Sequence, residues 1–131
     1  MTDQPSVHAW LRARLAQREF HHRDHLELTW LAIAQHGAER AGDVVTALLP
    51  QVAAAHGRPE RYHETLTRFW VRLLVHVRER RPDLLKIDAA IQAFPLLLDQ
   101  ELPFRHWSRP AMAGDQARMA WVEPDLVPLS L

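Results

Sequence analysis

His22, His25 and His63 are the residues of this 131-residue chain whose type and spacing carry the clearest chemistry. They lie in Phe20-His21-His22-Arg23-Asp24-His25-Leu26 and in Arg61-Tyr62-His63-Glu64-Thr65-Leu66-Thr67. Residues three apart on a helix project from one face, so His22 and His25 offer two imidazoles to a single ion or ligand. His21 and His25, four apart, are equally compatible, but His21 is better placed to cap the helix, which leaves His22. Two or three imidazoles, with or without a carboxylate, suit zinc, iron, nickel or copper. Without a metal, the same rings beside Tyr62 and Arg105 could hold an anionic small molecule or act as general acid and base. The competing account is that these are helix-end histidines with ordinary hydrogen bonds.

A metal-bound imidazole usually has its second nitrogen tied down, and Thr29, Thr67 or Tyr62 could serve. Each has a plainer role: a helical threonine often bonds back to its own turn, and Tyr62 reads as a core aromatic with its hydroxyl at the boundary. Glu64 neighbours His63 and so points about 100° away around the helix. Asp24 suits the positive end of a helix dipole. His106, in Leu102-Pro103-Phe104-Arg105-His106-Trp107, is the candidate fourth member of the cluster. His8, His36, His56 and His76 fall at helix ends or on opposite faces and read as surface residues. Trp30, Trp70, Trp107 and Trp121 read as core or site-wall anchors. The chain has no nucleophile motif, no glycine-rich phosphate loop and no Glu-x-x-His pairs of the di-iron type. Metal-assisted hydrolysis or oxygenation is the enzyme chemistry such a site would support.

Composition narrows the classes further. Lys+Arg and Asp+Glu are both 16, so the formal charge is zero, which argues against a nucleic-acid binder working by phosphate neutralisation. No apolar run approaches the roughly 18 residues of a membrane span, and the N-terminus lacks a basic-then-apolar leader pattern. With no cysteine there is neither disulfide nor thiolate ligand. The expectation is a cytoplasmic protein of one domain.

Those residues must be positioned by helices, because apolar spacing is helical nearly throughout. The spacing predicts helices over residues 5–19, 22–36, 38–56, 59–81 and 83–100. Gly37 and Gly57 act as stops, Pro59 as a first helical residue, Asp83 as an N-cap and Pro95 as a bend. A short helix is expected within 114–120. The whole chain, 1–131, reads as a single all-α domain, an up-and-down bundle of four to five helices. Residues 1–19 form an N-terminal helix, 20–101 the bundle core, and 102–131 an irregular tail packed on it. Short connections force antiparallel neighbours, which brings His22, His25 and His63 to one end, with His106 delivered there by the fifth helix.

From residue 20 onward, the two histidine segments together with Leu102-Pro103 and Trp121-Val122-Glu123-Pro124-Asp125 resemble a family of small uncharacterised bacterial helical proteins. In that family the position of His21 is often serine or threonine and the segment before Phe20 varies. The resemblance implies that His22 and His25 are the characteristic pair, and implies no reaction. The leading expectation is therefore a histidine-cluster site for a divalent transition metal or small molecule. The competing one is a helical interaction protein that forms a homodimer through its apolar tail.

Overall fold

The computed structural model describes residues 5–16 and 19–131. Among these the chain is all-α, with seven α-helices and no strand. Helix α1 (Val7–Leu15) starts where the Ser6 hydroxyl accepts from the Ala9 N–H. It is shorter than the spacing predicts, and Gln17 and Arg18 lie outside the described residues. Helix α2 (His22–His36) follows, with Asp24 accepting the His21 N–H at 2.9 Å. A carboxylate in that position satisfies a free donor and complements the positive helix end.

A single residue, Gly37, joins α2 to α3 (Ala38–Ala55), and Gly57 follows α3. Their φ values of 86° and 71° lie in the left-handed region, which glycine enters without a Cβ penalty. Helix α4 (Glu64–Arg80) begins later than expected. Pro59 instead opens a 3-10 turn (Pro59–Arg61), after which Tyr62 and His63 are extended. The long fifth helix is also corrected, because α5 covers only Ile87–Ala93. Phe94, at φ −134° and ψ 79°, has left the helical region ahead of Pro95, which disfavours a helical conformation in the residue before it. Asp83 caps nothing; its carboxylate takes both the Nε and an Nη of Arg81 at 2.9 Å. Two 3-10 segments, Pro95–Leu98 and Leu102–Arg105, lead to α6 (Arg109–Ala113) and α7 (Asp115–Met119). Among the described residues, no helix is long and apolar enough to cross a membrane.

The apolar stripe of α2 is wide because this helix packs on α1, α3, α4 and α5. Leu26, Leu28, Val45 and Leu74 have no accessible surface and centre the main core. A second, smaller core lies on another face of α4, where Phe69 meets Trp107, Met112 and Ala117 from the tail. Helix α4 thus holds the bundle on one side and the tail on the other.

Thr65 fastens that tail. It is fully buried, with its Oγ1 at 2.7 and 2.8 Å from the carbonyl oxygens of Ala117 and Ala120. The same oxygen accepts the Val122 N–H at 3.3 Å. Thr65→Val keeps the shape and strands these groups, so urea unfolding should show a loss of about 1–3 kcal/mol. An unchanged midpoint would mean that water takes over all three partners.

Candidate functional site

Three helix ends meet at one end of the molecule: the start of α2, the end of α3 and the start of α4. They enclose a cavity of about 400 Å³. Phe20, Leu49, Val52, Leu66 and Trp70 supply apolar wall. His22, His25, Tyr62, His63, Thr29 and Thr67 also line it, so the antiparallel reading does bring the two sequence motifs together. Exposed Arg58, Arg61 and Gln100 mark the rim.

Each imidazole is in a different state. His22 Nε2 lies 2.9 Å from the Leu97 carbonyl oxygen, so that nitrogen carries the hydrogen and Nδ1 is left with a lone pair. Its ring packs edge-on to Trp70 at 4.5 Å. Burial lowers its pKa, partly opposed by the Leu97 bond. His25 packs against Phe20 at 4.8 Å, and its ring makes no hydrogen bond among the described residues. Burial, reinforced by His22 nearby, pushes its pKa down to about 4, against a smaller opposing pull from Asp24. Both rings are therefore neutral at pH 7.

His63 has no nitrogen to spare. Its Nδ1 accepts the Leu66 N–H at 3.1 Å, which makes it the N-cap of α4, and its Nε2 donates to the Met112 carbonyl at 2.8 Å. It sits before the helix rather than in its second turn, because the Pro59 turn delays the helix start. Burial lowers its pKa too, opposed by the Met112 bond. His63 is placed to anchor the tail to α4, and a metal would have to displace one of these bonds.

The threonines take the plainer role expected of helical threonines. Thr29 donates to the His25 carbonyl and Thr67 to the His63 carbonyl, at 2.8 and 2.7 Å. Tyr62 donates its hydroxyl to Glu64 at 2.6 Å, and its pKa is raised by burial and by that bond. Glu64 is bonded in turn by Arg68.

Two expected members are absent from the cavity lining. His106 donates from Nδ1 to the Val127 carbonyl at 2.9 Å and packs beside Phe69 and Trp107. The 3-10 segments after Pro95 carry it to the tail face of α4. Arg105, next to it, is exposed. Conversely, His56 was expected on the surface and lines the cavity. It is the residue that ends α3, and its Nε2 is buried with no hydrogen-bond partner. Nothing in its helical face position announces this, but its place in the last turn before Gly57 puts it in the same layer as His22 and His63. Arg58 and Arg61 were missed for the same reason.

Among the described residues, no group of three or more His, Asp or Glu side chains is arranged to hold a metal ion. A larger, more open groove of about 540 Å³ runs between α3 and α4 beside Leu129 and Leu131. It mixes Glu39, Asp43 and Glu79 with Arg68, Arg72 and His76 and contains none of the cluster residues. That mixture is what a solvated helix–helix groove displays. Comparison with known proteins finds no matching family, curated protein or solved structure.

Proposed function

We propose that this protein binds a small organic molecule in the cavity between α2, α3 and α4. One observation carries the reading: a cavity of about 400 Å³ that combines apolar walls with the neutral imidazoles of His22 and His25. Ligand pockets are typically of this size, apolar with a few placed polar groups. His25, neutral down to about pH 4, suits a hydrogen-bond partner better than a proton store at pH 7. Binding is therefore the better supported role, and catalysis is not required by the geometry.

The neutral rings also favour a second reading, a divalent transition metal on His22 and His25, since metals take the deprotonated imidazole. His22 Nδ1 and both His25 nitrogens have no partner among the described residues. A metal would take these and recruit a third donor, for which His56 is the candidate.

Thermal melts test both. Wild type, Ala53→Trp and His22→Ala/His25→Ala are melted with zinc, iron(II), nickel or copper(II), and with a library of small organic compounds. A ligand that binds only the folded state raises Tm by mass action. The expected result is a set of organic compounds that stabilise wild type and lose their effect in Ala53→Trp, whose added ring fills the cavity. A metal-driven rise lost in the histidine double variant would favour the second reading. No rise with any compound or metal would defeat both. The exposed Leu85, Leu96, Leu98, Leu126 and Val127 would then point to the interaction reading, tested by sedimentation as a homodimer.

A further inference from the structure

Resting on the small-molecule reading, we infer that the occupant of the cavity is an organic carboxylate. Its apolar body would sit against Phe20, Leu49, Val52 and Trp70, with the carboxylate turned toward Arg58, Arg61 and the Nε2 of His56.

The charge pattern is one-sided. Arg58 and Arg61 line the cavity, and no aspartate or glutamate does. Six arginines outside the cavity, Arg14, Arg23, Arg68, Arg81, Arg109 and Arg118, each meet a carboxylate, and others such as Arg40, Arg80 and Arg105 make no ion pair among the described residues. Arg58 and Arg61 make no ion pair among the described residues. Glu64, the nearest motif carboxylate, is taken up by Tyr62 and Arg68. What sets Arg58 and Arg61 apart is their place: two guanidinium groups at the rim of a largely apolar cavity that no carboxylate lines. The planar fork of a guanidinium matches a carboxylate better than any neutral group.

The unpartnered nitrogen lies in the same place. Buried polar atoms are nearly always hydrogen-bonded, and an exception calls for a partner that is not part of the chain. His56 Nε2 is such an exception, two residues from Arg58. His56 itself lines the cavity, so a small turn of its ring would bring that nitrogen's hydrogen to a carboxylate oxygen.

Helix ends add to the field. The positive ends of α2 and α4 both open at this layer, each partly offset by an acidic residue in its first turn, Asp24 and Glu64. The opposing negative end of α3 is muted, because its last carbonyls accept from His56, Gly57 and Arg58 N–H groups.

Isothermal titration calorimetry with matched pairs tests the inference: 1-naphthoate against 1-naphthamide, and octanoate against octanamide. Each pair shares its apolar body and differs in charge. Wild type should bind at least one carboxylate about tenfold or more tighter than its amide, the scale of a charge-assisted contact. In Arg58→Gln/Arg61→Gln that preference should vanish, the carboxylate and the amide of each pair then binding about equally. Both substituted residues are exposed, so the variant should fold. Equal affinity for carboxylate and amide, lost in Ala53→Trp, would overturn the inference and leave the cavity reading standing. So would a carboxylate preference that survives the double arginine variant. Failure of both carboxylates at millimolar concentration would overturn it as well, and the cavity reading would then stand or fall on the uncharged compounds of the melting experiment.

Discussion

Trp107→Ala should lower the free energy of unfolding by about 3–5 kcal/mol, the range for deleting a buried aromatic. Trp107 has no accessible surface. It meets Phe69 at 5.7 Å and Trp121 at 5.4 Å, both edge-on, and its Nε1–H donates to the Val122 carbonyl at 3.0 Å. Removal therefore costs apolar burial, two aromatic contacts and one buried hydrogen bond together. The rest of the smaller core is itself built of large side chains, among them Phe69, Met112, Phe104 and Trp121, which would all lose contact with the deleted ring. Chemical denaturation would measure the loss, and limited proteolysis should show cleavage C-terminal to Leu102 before the bundle is cut. A loss below about 1 kcal/mol would show that the tail contributes little to the fold.

Acid should destabilise the protein before its carboxylates titrate. His25 has a pKa of about 4 when folded and near 6.5 when unfolded. Between those values the unfolded chain binds more protons, so stability rises with pH across that window and falls as pH drops through it. From pH 7 to 4.5, His25 alone should remove about 2 kcal/mol. His22 and His63 are shifted in the same direction and add to the fall. In His25→Gln the fall should be shallower by His25's share, whatever the variant's stability at pH 7. Urea midpoints at half-unit pH steps would measure both slopes. Identical slopes in wild type and variant would mean that His25 is not held neutral by burial.

Much of the fold was legible because its punctuation is local. Gly37 and Gly57 end α2 and α3 at positions that need positive φ, and the apolar periodicity between them admits only helices. The meeting of His22, His25 and His63 followed from the short connections, which leave few arrangements open. Proline was harder to read. Pro59 fits a first helical turn and equally a 3-10 turn, and the 3-10 turn leaves Tyr62 and His63 extended, where the His63 ring caps α4 and reaches the Met112 carbonyl. That arrangement moved His63 from an available donor to an anchored one.

The errors at His106 and His56 have different origins. Whether a loop residue enters a site depends on the path of the chain, and 3-10 segments leave weak periodic signal. After Phe94 the chain makes two of them and turns His106 toward Val127. His56, in contrast, ends a well-predicted helix, and its layer could have been read from the same antiparallel argument that placed His63. Thr65 lies inside the second motif, yet its role depends on carbonyls more than 50 residues away, which no local pattern reveals.

The central claim is that His22, His25 and His56 share one ligand cavity, and histidine side-chain 15N NMR tests it most directly. Before any addition, His25 should stay neutral to about pH 4. Titration with the compound that most raises Tm should then shift the rings of His22, His25 and His56 together, saturably, and leave His8, His36, His76 and His106 in place. Shifts confined to that second set, or a His25 ring that protonates near pH 6.5, would contradict the account.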